Sequence, residues 1–319
     1  MTPLDENSVK HVFRDMESTN LADLFPFGLG GIRHKSGIVM GIDSYNNLIF
    51  FDPWHPENEN YNIVVLGESG IGKTFTVKII LGRMIVNGVR VGVIDPDKGA
   101  KGYENLFTAL GCPYIKLSAD SKYRINVFDV DEEEVVEENT VISIVNLEQT
   151  IKAVEAMVFR MIRTYDPKSE ILTGLTKIKI QEKIKILYDD KEITTDPASL
   201  YEHIRENSPD GGVILKKRKR KMPVLGELYN SMMQEPELTK AAELLKPFTR
   251  YGTLKSQAIF DCESNFDIRN ELAFGISVAD LDKEIMMPLG LFVCTKWVWE
   301  KFGENFLVKS CWSLMNLRK

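Results

Sequence analysis

Residues 67–74 read GESGIGKT, and this run is the clearest chemical signal in the sequence. It matches the pattern G-x-x-x-x-G-K-[ST], in which glycines let backbone N–H groups approach phosphate oxygens closely. An apolar, strand-like run at 63–66 precedes the motif, and an amphipathic helical pattern follows it, which is the context that the motif requires. The sequence therefore predicts a P-loop that binds the phosphates of a nucleoside triphosphate.

Two side chains of this loop have the chemistry to act on the phosphates. We expect Lys73 to reach the β- and γ-phosphates and Thr74 to place its hydroxyl on Mg²⁺ as a metal ligand. The helix that begins near Lys73 adds the positive end of its dipole. The predicted nucleotide-binding residues are Gly67, Glu68, Ser69, Gly70, Ile71, Gly72, Lys73, Thr74 and Phe75.

Hydrolysis also requires a carboxylate at the end of a neighbouring strand. Asp95 ends the run VGVID directly after the P-loop helix, and with Lys73 and Thr74 it completes the set of candidate catalytic residues. An equally weighted alternative is that Asp95 and Pro96 begin a turn in which the Asp95 carboxylate caps residues 97–98. Asp129 and Asp261 also end apolar runs, and both are predicted to be turn residues.

The elements around these residues alternate between strand and helix, which predicts an α/β fold with a mainly parallel sheet. Strand patterns lie at 48–51, 63–66, 89–94, 114–117, 272–278 and 306–308. Helical patterns lie at about 73–86, 103–110, 147–189 and 285–302, the last with a kink at Pro288. No comparable strand pattern interrupts residues 130–265. The predicted organisation is a P-loop core at 1–128 and 266–319 with a mainly helical insert at 129–265.

Composition and charge narrow the function classes. The 319 residues carry a net charge of −6, so the whole chain is not an obvious nucleic-acid binder. The basic run KKRKRK at 216–221 is either a contact with nucleic acid or an anionic surface or a mobile, solvated loop, and the loop is favoured. The cysteines at 112, 262, 294 and 311 are scattered, which indicates reduced thiols. No signal peptide or transmembrane segment is evident, so we expect a cytoplasmic protein, peripheral at most to a membrane.

A series of segments in order along the chain resembles a known family. The segments are LADLFPF at 21–27, GIVMGIDSYNNLIFFD at 37–52, NIVVLGESGIGKTFTVK at 62–78, VIDPD at 93–97, ALGCPYIKL at 109–117, RINVFDV at 124–130, MPVLGELY at 222–229 and LGLFVCTKWVWEKF at 289–302. The series resembles the ATPase domain of type IV secretion and conjugative-transfer ATPases, within the HerA/FtsK-like group.

The resemblance implies a RecA-like core that hydrolyses ATP with Mg²⁺. It also implies a ring of copies, usually a hexamer, that energises pilus assembly or substrate transfer at the inner face of the membrane. The implied partners are secretion-channel proteins and a DNA-coupling protein.

The chain departs from the family pattern at the magnesium-binding strand. The family carries Asp-Glu before a Trp, whereas Lys309 and Ser310 stand at those positions in FLVKSCWSLMN, residues 306–316. A family glutamate after the DPD segment is also missing, because Gly102 and Tyr103 align there. We therefore expect phosphate binding to survive and hydrolysis to depend on Asp95 or another carboxylate. The alternatives are a catalytically impaired nucleotide-binding subunit or fragment, and a HerA/FtsK-like DNA translocase.

Overall fold

The computed structural model describes residues 34–44, 46–97, 102–137, 140–168, 170–207, 213–303 and 310–314. The chain divides into two compact units, Met1–Lys73 and Thr74–Lys319. The family-like segment at 21–27 lies outside the described residues.

The elements follow one another in this order: β1 (Ile38–Ile42), β2 (Leu48–Phe51), α1 (Lys73–Val86), β3 (Arg90–Asp95), α2 (Glu104–Ala109), β4 (Tyr114–Lys116), β5 (Glu133–Glu137), β6 (Thr140–Ile144), α3 (Leu147–Tyr165), α4 (Gly174–Asp190), β7 (Tyr201–Asn207), β8 (Val213–Lys219), α5 (Leu225–Met233), α6 (Thr239–Leu245), β9 (Ala273–Ser277), α7 (Met286–Val298) and β10 (Ser310–Leu314). None of the described helices is long and apolar enough to cross a lipid bilayer.

A parallel sheet forms the centre of the second unit, as the alternation of strands and helices predicts. Its strand order is β10-β3-β9-β4, and each neighbouring pair is parallel. Every residue of β3 and β9 is buried, which is typical of parallel strands covered on both faces. The parallel α/β prediction is therefore confirmed.

The predicted buried strand at 63–66 is wrong. These residues form no strand in the structure, and their side chains are exposed, from 38% at Val65 to 86% at Leu66. An apolar run becomes a strand only where a sheet edge accepts its backbone hydrogen bonds. Among the described residues no strand pairs with this segment, so its backbone gains no ladder hydrogen bonds. In this structure the segment leads into the P-loop as extended chain.

The segment 130–265 contains four strands, so the expectation of a mainly helical pattern there holds only in part. β5 pairs with β6 and β7 with β8, each as an antiparallel hairpin. The acidic run lies partly in β5, and the basic run, predicted as a loop, lies largely in β8. The many charged residues of these strands hide the alternation of polar and apolar residues that indicates a strand. In the structure, Arg218 lies opposite Glu202 and donates to its carboxylate from Nε at 2.8 Å. Such opposite-charge pairs stabilise antiparallel strands.

The helices of this segment pack around one continuous core. The single helical pattern at 147–189 is divided into α3 and α4, and side-chain oxygens of Asn146 and Thr173 accept the N-terminal hydrogen bonds of the two helices. Such N-caps stop helix propagation from the preceding chain. The buried faces of α3 and α4 join those of α5, α6 and α7 in the same apolar cluster.

α7 ends in an unusual turn. Residues 299–303 continue it with π-helical hydrogen bonding. Pro288 lies in the first turn of α7. Backbone N–H groups of a first helical turn have no acceptor within the helix, so a proline there breaks no hydrogen bond and gives no reason for the predicted kink. The wider turn buries the side chains of both Lys301 and Phe302 against the core, and Phe302 contacts Phe274 of β9 edge to face.

The loop RINVFDV joins distant parts of the second unit. The Asn126 side chain donates to the carbonyl of Pro223 at 2.8 Å, and its backbone N–H donates to Ser264 Oγ at 2.8 Å. Tyr188 Oη, fully buried on α4, donates to the carbonyl of Phe128 at 2.7 Å. This segment therefore connects α4 with the stretches of chain that precede α5 and β9.

Candidate nucleotide-binding site

The glycine loop is folded around its own lysine. Lys73 Nζ donates to the carbonyl oxygens of Gly67 at 2.8 Å and Glu68 at 2.7 Å, which closes the loop across its mouth. Gly70 and Gly72 have φ values of 85° and 100°, in the left-handed region that side chains other than glycine rarely adopt. The motif glycines are thus needed for the shape of the loop, and the ammonium group is held beside it.

The first helix is anchored in the second unit by one apolar face. Its buried side chains are Val77, Ile80, Leu81, Met84 and Ile85, the face that the sequence pattern predicts. No acidic residue lies in its first turn. No carboxylate of this turn therefore offsets the positive end of the helix dipole.

The loop residues fit a triphosphate. A Cβ atom on Gly70 or Gly72 would meet no atom within 4 Å, so the loop is open on that side. Thr74 and Phe75, at the start of the helix, are both exposed. Backbone N–H groups, an ammonium and a hydroxyl are what a Mg²⁺-bound triphosphate requires. Among the described residues there is no group of three or more His, Cys, Asp or Glu side chains placed to hold a metal ion.

Asp95 lies at the C-terminal end of β3 and is fully engaged by nearby groups. Its Oδ1 accepts from the backbone N–H of Asp97 at 3.1 Å, and its Oδ2 accepts from Tyr114 Oη at 3.1 Å and from the N–H of Tyr103 at 3.4 Å. The residue is 2% exposed, and a side chain at Gly102 would collide with Oδ2. The bond to Asp97 is the one that the turn interpretation expects. A catalytic role for Asp95 stays a prediction.

Tyr114 is held against Asp95 by the sheet. Tyr114 lies opposite Gly275 of β9, where a Cβ atom would stand 2.5 Å from its ring. Burial, followed by the nearby Asp95 carboxylate, raises the pKa of Tyr114, so the hydroxyl remains a donor. The sequence pattern contains no signal for this pair, because the two residues are on strands joined only through β9.

The strand register corrects the position of Lys309 and Ser310. Ser310 begins β10 and pairs with Arg90, whereas Asp95 is at the opposite end of β3. Five residues of strand separate those ends, about 16 Å at 3.3 Å per residue. Ligand-binding groups of parallel sheets gather at the C-terminal ends of strands. Ser310 therefore does not occupy a magnesium-binding position, and Lys309 lies outside the described residues.

The basic run is largely neutralised within the chain. The five described side chains, 217–221, each have a partner. Lys217 stands over the Tyr201 ring, and the others pair with Glu202, Asp129 and Asp131, Glu192, and Glu263 respectively. A strand whose cations are paired in this way is a poor electrostatic footprint for nucleic acid.

A buried ion cluster is the main charged feature that the sequence did not predict. Asp129 follows a turn, as predicted, and with Asp131 it surrounds the Lys301 ammonium, whose side chain is 6% exposed. Two further cations contact the Asp131 carboxylate: Lys219 Nζ at 2.6 Å and Arg269 Nη1 at 3.5 Å. Burial acts to raise the pKa of Asp131, but the two lysines together lower it far below its usual value. In the sequence, the only signal for this ion cluster is the presence of the acidic run that contains Asp129 and Asp131 and of the basic run that contains Lys219.

Asp261 likewise follows a turn and has a second role. Its side chain is fully buried, and its two carboxylate oxygens accept from the backbone N–H groups of Gly226 at 2.7 Å and Arg250 at 2.6 Å. The Arg250 side chain adds an ion pair at 3.0 Å. Asp261 is therefore fixed by structural partners.

An α/β fold with a formed glycine loop defines a P-loop nucleotide-binding protein. The family described as "Helicase HerA, central domain" matches residues 62–262, from the approach to the loop through α6 and beyond. The chain belongs to this family of P-loop ATPases.

Among solved structures, VirB4 of Thermoanaerobacter pseudethanolicus is similar, with a TM-score of 0.63 and 22% sequence identity. The similarity covers 86% of this chain and 66% of that one, so this chain spans just under two thirds of the VirB4 structure. At this identity the likeness establishes the fold, and the RecA-like prediction is confirmed. A search of curated proteins finds no match.

Proposed function

We propose that this chain is the ATP-binding motor domain of a type IV secretion or conjugative DNA-transfer system. The observation that carries the proposal is the folded glycine loop, with Lys73 held across it at the start of α1. Family membership and the VirB4-like fold support the motor class. The ordered sequence segments support secretion or conjugation rather than another task of the same superfamily.

The loop residues would divide the work as follows. The bound nucleotide and Mg²⁺ supply the phosphoanhydride bond and the divalent charge that offsets its oxygens. Backbone N–H groups of the loop hold the phosphates, and Lys73 directs its ammonium toward the outermost ones. Thr74 presents its hydroxyl to the metal, and the dipole of α1 favours the negative charge. These groups bind and orient the nucleotide, and none of them removes a proton from the attacking water.

Hydrolysis therefore rests on a carboxylate, for which Asp95 is the candidate. Its present contacts with Tyr114, Asp97 and Tyr103 favour a second function, a nucleotide-binding assembly subunit without turnover. For turnover, Asp95 would have to exchange at least one of these donors for the metal or its water. As a motor, the chain would act as a ring, with a hexamer implied by the resemblance, at the inner face of the membrane beside channel and coupling proteins.

The test is ATP binding and phosphate release measured on the same preparation with Mg²⁺. Lys73→Ala should abolish binding, and Lys78→Ala is the matched control, because Lys78 is on the same helix but stands over the Tyr103 ring. Turnover that Asp95→Asn abolishes would support the motor. Saturable binding without phosphate release would favour the assembly subunit. No binding by the unaltered chain would refute both.

A further inference from the structure

Phe75 is an exposed aromatic residue on the first turn of the P-loop helix. Its side chain is 68% exposed, and it follows Thr74 directly. The buried face of α1 begins at Val77, which is two residues or about 200° further around the helix axis. Phe75 therefore faces away from the apolar core that explains the other large side chains of this helix.

The position of Phe75 relative to the phosphate loop follows from helix geometry. Phe75 lies about 3 Å along the axis from Lys73, at 1.5 Å per residue. Side chains in a helix lean toward its N-terminus, so the ring leans toward the end where the loop would hold the phosphates. A nucleotide bound there extends away from the loop through its sugar and base. The exposed ring is therefore available to a base that continues from the phosphates past the start of this helix.

We infer that Phe75 is the stacking platform for the nucleobase of the bound triphosphate. This inference rests on the proposed nucleotide-binding function and adds a subsite to it. An aromatic ring provides a π-face that supports any base without reading its hydrogen-bonding edge. Phe75 therefore contributes affinity for the nucleoside part, while the loop and Lys73 contribute affinity for the phosphates.

The two contributions separate when two ligands are compared. Binding of ATP and of inorganic tripolyphosphate, both with Mg²⁺, is measured for the unaltered chain and for Phe75→Ala, Phe75→Leu and Phe75→Trp. Phe75→Leu keeps apolar bulk but removes the π-face. Val86→Ala is the matched control, because Val86 is 76% exposed at the other end of the same helix.

Phe75→Ala and Phe75→Leu should weaken ATP binding about tenfold, equivalent to 1.4 kcal/mol, and leave tripolyphosphate binding unchanged. Phe75→Trp and Val86→Ala should bind both ligands as the unaltered chain does. Unchanged ATP affinity in Phe75→Ala, or an equal loss for both ligands, would overturn the stacking role. Failure of the unaltered chain to bind either ligand would instead overturn the proposed function itself.

Discussion

The buried ion cluster around Lys301 allows a stability prediction worked directly from its geometry. In Lys301→Met the side chain keeps the apolar part of its stem but loses the ammonium that approaches Asp129 and Asp131. Removing one partner of a buried pair costs about 3–5 kcal/mol. Lys219, at 2.6 Å from Asp131, remains to hold part of the charge. We therefore expect a loss of about 2–3 kcal/mol in the free energy of unfolding.

The assay is urea unfolding at pH 7, followed both by circular dichroism and by tryptophan fluorescence to check for a single transition. The control is Arg218→Met, since Arg218 is also paired with a carboxylate but is 61% exposed. Exposed pairs contribute about 0.2–1 kcal/mol. If Lys301→Met destabilised the protein no more than Arg218→Met does, the reasoning from burial would be refuted.

The same cluster predicts the direction of a pH effect. Because the pKa of Asp131 is lowered in the folded state, its contribution is complete above the ordinary Asp value of about 3.9. The contribution is lost as pH falls through the lowered folded-state pKa. The stability difference between the unaltered chain and Lys301→Met should therefore be full at pH 7 and smaller at pH 3. A difference that grew on acidification would contradict this assignment.

Three further predictions concern other parts of the second unit. Gly275→Ala places a Cβ atom 2.5 Å from the Tyr114 ring, and this overpacking should destabilise the protein by about 1–3 kcal/mol in urea unfolding; a neutral result would show that the ring can move freely. Burial raises the pKa of the Cys262 thiol to about 11, so iodoacetamide at pH 8 should label its peptide in urea but not in the native protein, as read by mass spectrometry. Glu202→Gln removes the carboxylate that pairs with Arg218 and should strengthen duplex DNA binding at low salt. In fluorescence anisotropy, the slope of log K against log salt concentration should be steeper by about 0.9. Equal binding by the unaltered chain would show that the pairing does not neutralise this strand.

Elements with a strong local pattern were predictable from the sequence. β2 was located to the residue, because LIFF is bounded by polar turn residues, and α1 followed from its apolar face. The P-loop was evident because its backbone conformation and its chemistry both require a short, contiguous run. Local sequence carries the full signal in these cases.

Elements that depend on distant partners were not predictable in the same way. The run at 63–66 has the composition of a strand, but no described strand pairs with it, and strand formation requires a neighbour that accepts the backbone hydrogen bonds. β8 has the composition of a loop, yet it pairs with β7 along its whole length, with Glu202 opposite Arg218. The hydrogen bond from Tyr114 to Asp95 also joins residues that are distant in the sequence, because the two are on strands that flank β9. Single-sequence patterns report none of these pairings.

The order of strands in the parallel sheet has a consequence for how the chain folds. β3 is synthesised early, yet both of its neighbours, β9 and β10, come from the last part of the described chain. Pairings of such long sequence separation form slowly, because a large loop must close before any contact is made. The helices from α3 to α6 share one apolar cluster and are all synthesised before β9 and β10. During translation, β3 therefore emerges before either of its partner strands, and an unpaired apolar strand is prone to aggregation.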